Sequence, residues 1–192
     1  MNKVFQVGFN KCGTRSLYRF FADNSVPALH WHTDQGKIAK KMLANFLNGE
    51  RIIPKEYENI IFFSDLEDVY GSNYLPIFSY RFYREIFDQF PDSKFILNIR
   101  PLHEWINSRL KHDDGKYLNH CLKILKISKL DLIKHWESHF LNHSKEVQDF
   151  FKDKKDRLLI FDISKDSVNK VIKFLPEFNL QAKHWQKISK GI

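Results

Sequence analysis

Short apolar runs alternate with amphipathic segments along the 192 residues of the chain. The apolar runs have the length of buried strands, and they predict strands over residues 4–7, 27–31, 59–63, 94–99 and 157–161. Apolar positions at helical spacing predict helices over 13–23, 36–47, 80–90, 129–151 and 167–175, with a further helix from Pro101. Strands that alternate with helices are typical of a parallel sheet covered on both faces. The pattern predicts an α/β fold of three layers (α/β/α) with a central parallel sheet.

Length and composition narrow the class of protein. The chain is long enough for one domain and short for two, so we expect a single domain over residues 1–192. Hydrophobic residues make up 43% and charged residues 28%, as is usual for soluble globular proteins. No apolar run approaches the roughly 20 residues of a membrane helix, and the first residues lack the regions of a signal peptide. We expect a cytoplasmic protein without a membrane span.

The net charge of +8 favours anionic partners, such as a nucleic acid, an acidic glycan or a phosphate-rich nucleotide. We find no helix-turn-helix, no aromatic stacking signature and no basic tail, so a nucleic-acid partner is not expected. Cys12 and Cys121 form no disulfide framework and lack metal-ligand spacing. His135 and His139 are four residues apart but lack the H-E-x-x-H pattern, and no metal site is expected.

The segment between the first predicted strand and helix has features of a phosphate-binding loop. Gly8 and Gly13 have the spacing of the glycines in G-x-x-x-x-G-K-[ST], whose backbone N–H groups surround a phosphate at the positive end of a helix. Here Thr14 stands in the lysine position and Arg15 in that of the hydroxyl that binds Mg²⁺, while Lys11 lies inside the loop. The loop therefore suits a phosphate but poorly suits Mg-ATP.

The stretch Lys11-Cys12-Gly13-Thr14-Arg15-Ser16-Leu17 resembles the Lys-x-Gly-Thr loop of the PAPS-dependent sulfotransferases, especially of their glycan-modifying members. The resemblance implies a P-loop-like nucleotide-binding fold. It also implies transfer of a sulfuryl group, without metal, from 3′-phosphoadenosine 5′-phosphosulfate (PAPS) to a hydroxyl or amine, with 3′-phosphoadenosine 5′-phosphate (PAP) as product. Lys11 would contact the sulfate and the bridging oxygen. The rest of the loop would bind the donor, with the 5′-phosphate on Gly13, Thr14, Arg15 and Ser16, and Cys12 beside them.

A second motif follows the strand that ends at Ile99. Arg100 is followed eight residues later by Ser108, and the resemblance implies that both bind the 3′-phosphate. An arginine fork and a serine two turns along a helix can face the same anion. Arg109 is a further candidate ligand. The resemblance covers most of the first 110 residues, and the later Lys190-Gly191 is similar to a basic segment that closes over the 3′-phosphate in some members.

Sulfuryl transfer also needs in-line attack, positive charge on the departing phosphate and a base for the acceptor proton. His30 and His32 flank the end of the second strand, and Asp65 ends the third. Alternation along a strand would put both histidines on one face. His32 lies about as far beyond Lys11 as the base does in glycan-modifying members, so it is nominated first, with His30 and Asp65 behind it. All three remain open.

Because ligands bind at the carboxyl ends of parallel strands, Gly8, Trp31, Asp65 and Arg100 are expected along one edge. The acceptor would be a small molecule or a glycan, in a pocket built by loops over 68–79 and 111–121. One alternative function is a P-loop kinase or nucleotide triphosphatase, supported by the apolar strand that ends at Asp65 and opposed by the missing Gly-Lys-Ser/Thr order. Another is non-catalytic binding of polyanions. The sequence does not indicate the oligomeric state.

Overall fold

A computed structural model of the chain describes residues 2–72 and 75–188. The strands are β1 (Val4–Gln6), β2 (Ala28–His30), β3 (His32–Thr33), β4 (Gly36–Lys37), β5 (Phe62–Ser64), β6 (Glu67–Ser72), β7 (Leu75–Phe78), β8 (Lys94–Ile99) and β9 (Leu158–Asp162). The helices are α1 (Thr14–Asp23), α2 (Ile38–Leu47), α3 (Tyr83–Gln89), α4 (Leu102–Leu110), α5 (Lys116–Leu125), α6 (Lys129–Phe151) and α7 (Asn169–Phe174). Within these residues, no helix has the length and apolar character needed to cross a membrane.

Five parallel strands form the central sheet, in the order β2-β5-β1-β8-β9. β1 lies in the middle, where Val4 pairs with Phe62 on one side and with Lys94 on the other. The expected α/β fold with a central parallel sheet is confirmed. All five carboxyl ends lie along one edge of the sheet, which is where the loop after β1 begins.

Both faces of the sheet are covered, because successive residues of a strand point to opposite sides. On one face Phe5, Phe63 and Phe95 form a core under α3 and α6. On the other face Phe62 stacks on Phe21 of α1, with ring centroids 3.9 Å apart and planes inclined by 4°. The near-continuous apolar strands follow from this burial on two sides, as is usual in parallel sheets.

The structure differs from the sequence prediction at three places. The helix predicted over 36–47 begins at Ile38, because Gly36 and Lys37 pair with Thr33 and His32 in a short antiparallel ribbon. The loop predicted over 68–79 is largely the antiparallel hairpin of β6 and β7, and the loop predicted over 111–121 becomes helical at Lys116. The acceptor role of these segments remains a prediction. Lys190-Gly191 lies outside the described residues.

Candidate donor and transfer site

Three non-glycine residues at the carboxyl edge of the sheet have left-handed backbone. Lys11 lies in the loop after β1 at φ 62°, Trp31 directly follows β2 at φ 62°, and Asp65 directly follows β5 at φ 57°. Such conformations cost of order 1–3 kcal/mol each and concentrate at functional sites. Because these three residues follow adjacent strands, we take this edge of the sheet as the candidate site.

Side chains of β8, of α4 and of Arg100 between them donate to four successive carbonyl groups of the loop. Asn98 Nδ2 donates to the carbonyls of Phe9 (2.9 Å) and Cys12 (3.0 Å), Trp105 Nε1 to that of Asn10 (3.0 Å), and Arg100 Nη1 to that of Lys11 (3.0 Å). Each of these carbonyl dipoles is therefore directed at a protein donor. In residues 2–72 and 75–188, no acceptor binds the peptide N–H groups of Gly13, Thr14 and Arg15. This arrangement presents peptide N–H groups to an anion at the start of α1.

The two loop glycines serve different purposes. A Cβ atom on Gly8 would lie 2.2 Å from the carbonyl oxygen of Asn98, so only glycine lets the loop pass this close to β8. Gly13 has φ 82° and forms the N-cap of α1, a left-handed position that favours glycine. The spacing of the two glycines thus reflects one close contact between the loop backbone and β8, and one turn at the start of α1.

The remaining loop side chains differ in exposure. The Cys12 side chain is fully buried in the core, which raises its pKa, so only its peptide group can face a donor. Thr14 and Ser16 are buried, whereas Arg15 is exposed. The Ser16 hydroxyl accepts a hydrogen bond from the backbone N–H of Ile188 (2.8 Å), which brings the C-terminal segment onto the loop.

Arg100 joins the second motif to the loop. Beyond its bond to the Lys11 carbonyl, its Nε and Nη2 donate to Glu104 Oε2 at 3.3 and 2.7 Å. The same carboxylate oxygen accepts from Ser164 Oγ (3.1 Å). Ser108 lies one turn beyond Glu104 on α4 and hence on the same side of the helix. Arg100 and Ser108 therefore flank one surface next to the loop.

A fully buried arginine contacts the loop from the protein interior. Arg109 donates to Asn10 Oδ1 (3.4 Å) and to the Tyr117 hydroxyl (2.6 Å), and the rings of Trp105, Tyr117 and Trp136 lie around its guanidinium. The nearby Glu67 accepts the peptide N–H of Asn10 (3.1 Å). Because Arg109 has no exposed surface, its nomination as a phosphate ligand is wrong, and it stabilises the loop instead.

His30 and Asp65 lie together at the ends of β2 and β5. His30 Nε2 is 3.7 Å from Asp65 Oδ2, and its Nδ1 is 3.3 Å from Ser64 Oγ. Burial, with smaller effects of Arg15 and His32, lowers the pKa of His30 to about 4. Burial and the charge of Glu67 raise the pKa of the Asp65 carboxyl. Both shifts favour the uncharged forms of the pair.

His32 belongs to a different strand from this pair. The left-handed backbone of Trp31 turns the chain out of β2, and His32 belongs to the separate ribbon with β4, where it is exposed. The expectation that alternation places His30 and His32 on one face is therefore wrong. Alternation requires continuous extended backbone, and it ends at Trp31.

The Lys11 ammonium is close enough to other titratable groups to affect them. With Arg15, it offsets part of the rise that burial and Glu67 cause in the pKa of Asp65, and after burial it is the largest influence that lowers the pKa of His112 to about 4. Positive charge from the loop therefore reaches the carboxyl ends of β1 and β5 and the turn after α4. A group that transfers from the loop toward Asp65 would pass through this field.

A family model described as a sulfotransferase domain matches residues 3–127, more than half of the chain. The chain belongs to the sulfotransferase family. The matched range contains the loop, Arg100 and Ser108, and the three candidate bases. No curated protein matches the sequence.

Sequence reasoning missed several residues that organise this candidate site. Asn98 gives a visible signal, because it is a polar residue inside an otherwise apolar buried strand. Ser64 and Glu67 give weaker signals, as small or charged residues around the end of β5. Their contacts span 50 and 57 residues of sequence, so their partners could not be read from local pattern.

Proposed function

We propose that this sulfotransferase moves a sulfuryl group from PAPS to a hydroxyl or amine of a small-molecule or glycan acceptor, working as one domain over residues 1–192. The observation that carries the proposal is the loop, where four carbonyls are held by side chains and peptide N–H groups remain at the start of α1. Gly13, Thr14, Arg15 and Ser16 would bind the 5′-phosphate, with the peptide group of Cys12.

Arg100 and Ser108 would bind the 3′-phosphate. A guanidinium has five N–H donors, and Arg100 uses three of them on Lys11 and Glu104. One N–H on Nη1 and one on Nη2 are left, and these would donate to the phosphate. Glu104 and the loop carbonyl hold the guanidinium in place, so little side-chain entropy is lost when the phosphate binds.

Lys11 would provide positive charge during transfer. The acceptor oxygen or nitrogen forms a bond to sulfur while the bond between sulfur and the bridging oxygen breaks, and the electron pair stays on the departing phosphate of PAP. Lys11 stabilises that growing negative charge, and Gly13 and Thr14 add peptide dipoles. The chain's main contribution is to position and stabilise charge.

We propose the His30–Asp65 pair as the group that takes the acceptor proton. His30 is partly buried, uncharged and hydrogen-bonded to Ser64, and Asp65 is its neighbour at the strand ends. His32 was the first choice from sequence spacing, but its exposure and its place in a separate ribbon favour His30. A positioned base contributes about 10²–10⁴-fold to the rate.

Incubation with radiolabelled PAPS in EDTA, with a panel of phenol, amine and sugar acceptors, tests the proposal. The wild type should release PAP and label an acceptor without added metal. Methionine has nearly the side-chain length of lysine, and like lysine it would adopt the left-handed backbone at position 11, so Lys11→Met should fold normally. It should lose most turnover because it lacks the charge. Lys145→Met, at an exposed lysine of α6, is the matched control. Turnover by Lys11→Met within a few-fold of wild type, or turnover only of ATP with Mg²⁺, would refute the proposal.

A further inference from the structure

Ser64 is a fully buried serine where β5 meets three other elements. Its Oγ lies 2.5 Å from Gln6 Oε1 of β1, 3.0 Å from the carbonyl oxygen of Thr14 in α1, and 3.3 Å from His30 Nδ1 of β2. A serine hydroxyl has one proton to donate and two lone pairs to accept with. Which neighbour receives the proton decides the state of His30.

Gln6 Oε1 and the Thr14 carbonyl oxygen fix the direction of these bonds. Neither oxygen can donate, and the 2.5 Å separation of Gln6 Oε1 from Ser64 Oγ requires a proton between them, so the Ser64 hydroxyl is the donor. Turning the Gln6 amide would place its nitrogen 2.5 Å from Ser64 Oγ, which is shorter than an N–H···O hydrogen bond. The proton of Ser64 is therefore used on these oxygens. Only a lone pair remains toward His30, and Nδ1 must carry the hydrogen.

We infer that Ser64 is a positioning residue that holds His30 in its Nδ1–H tautomer and so leaves the Nε2 lone pair available for the acceptor proton. The inference rests on the proposed sulfuryl transfer. In that reaction the proton of the acceptor hydroxyl moves to Nε2 as the oxygen–sulfur bond forms. The imidazolium that results keeps its Nδ1–H bond to Ser64 and faces Asp65 through Nε2, 3.7 Å from Oδ2.

Ser64 also links the base to the donor loop. Thr14 is the first residue of α1 and part of the proposed 5′-phosphate site, so one hydroxyl contacts both the base and the donor-binding backbone. The Tyr18 ring from α1 stacks on His30, with centroids 5.3 Å apart and planes 23° apart, and limits rotation of the imidazole. The titratable groups close enough to influence His30 are Arg15 from α1, Asp65 from the end of β5 and His32 from β3.

Long-range proton–nitrogen NMR correlations on protein with labelled histidine nitrogens read the tautomer directly, without donor or acceptor. At mildly alkaline pH His30 should show a protonated Nδ1 and an unprotonated Nε2. The exposed His32 gives an internal reference, because a solvent-exposed imidazole favours the Nε2–H form. A protonated Nε2 in His30 of the wild type would overturn the inference, whatever activity the protein has.

Ser64→Ala should convert His30 to the Nε2–H form and lower kcat for sulfuryl transfer by at least about tenfold, since a base in the wrong tautomer is much less effective. Ser79→Ala is the matched control, because Ser79 is equally buried and its hydroxyl donates to one carbonyl, that of Ala39 (2.7 Å). It should change neither the His30 spectrum nor kcat. An unchanged His30 spectrum or an unchanged kcat in Ser64→Ala would contradict the role of Ser64.

The two measurements separate this inference from the proposed function. If wild-type His30 has the expected tautomer and Ser64→Ala changes it, but no sulfuryl transfer occurs, the proposed reaction fails while the hydrogen-bond assignment stands. If transfer occurs and His30 has the other tautomer, the proposed function stands and Ser64 has only a structural role.

Discussion

Arg100 Nη1 donates a hydrogen bond to the carbonyl oxygen of Lys11, 3.0 Å away, across 89 residues of sequence. This bond joins the strand-end arginine to the loop that carries the proposed transfer lysine. The same guanidinium is held by Glu104 on its other side. One side chain thus fixes the loop backbone and, in the proposed function, recognises the 3′-phosphate.

Arg100→Ala should weaken binding of PAP by about 2–5 kcal/mol, because it removes one side of a charged hydrogen-bonded pair. Adenosine 5′-phosphate, which lacks the 3′-phosphate, should lose much less affinity. Calorimetric titration with both nucleotides measures the difference. Arg51→Ala, at an exposed arginine paired with Glu58, is the control and should bind both nucleotides as wild type does. Equal losses for the two nucleotides would show that Arg100 acts only through the loop.

Asn98→Ala should lower the free energy of unfolding by about 1–3 kcal/mol, because the carbonyls of Phe9 and Cys12 would lose their buried donor. PAP binding should weaken as the loop loses its fixed shape. Urea unfolding measures the stability. In the control Asn45→Ala, an exposed amide loses its bond to the Arg51 carbonyl (2.7 Å), and stability should change by at most about 0.5 kcal/mol. Similar costs in both variants would contradict the structural role given to Asn98.

Asp65→Asn should lower kcat and flatten its pH dependence. Burial and Glu67 raise the pKa of Asp65, so the carboxyl becomes protonated as pH falls and loses the charge that would stabilise the imidazolium formed at His30, 3.7 Å away. In the wild type kcat should therefore rise with pH as Asp65 ionises. The asparagine amide carries no charge at any pH. A wild-type pH profile of kcat in Asp65→Asn would exclude Asp65 from proton transfer.

His143→Gln should make stability less sensitive to acid. His143 Nε2 lies 2.7 Å from the Val7 carbonyl in the core, and burial lowers its pKa to about 4. Between that value and the ordinary pKa near 6.5, the unfolded chain binds a proton that the folded chain does not, so stability falls as pH falls through this window. From about pH 7.5 to about pH 5 the wild type should lose about 2 kcal/mol more than the variant.

Urea unfolding at the two pH values measures this difference. Glutamine keeps a donor for the Val7 carbonyl, so the comparison isolates the effect of His143 protonation on stability. His103→Gln, at an exposed histidine of α4, should retain the acid sensitivity of the wild type. Equal losses in wild type and His143→Gln would mean that His143 takes up a proton in the folded state as easily as in the unfolded state.

Sequence pattern predicted the features that depend on local order. The apolar runs predicted the five central strands, and Gly8, Gly13 and Lys11 indicated the loop, because their spacing reflects one turn at a strand end. The α/β fold followed from the order of elements. The family match over residues 3–127 agrees with the resemblance seen in the loop.

The features that sequence did not predict depend on single backbone angles or distant contacts. One left-handed residue, Trp31, separates His30 from His32, and the hydrophobic pattern carries no sign of it. Ser64 meets Thr14 from 50 residues away, so its hydrogen bonds follow from strand order rather than from neighbouring residues. The choice among candidate bases required this geometry.

Calorimetric titration of the purified protein with PAP, in EDTA and again with Mg²⁺, tests the donor site most directly. The account predicts micromolar or tighter binding in EDTA, unchanged by the metal, because the loop N–H groups, Arg100 and Ser108 supply the phosphate contacts. Absence of PAP binding in both conditions, with tight binding of Mg-ATP instead, would contradict it and favour a phosphate-loop kinase.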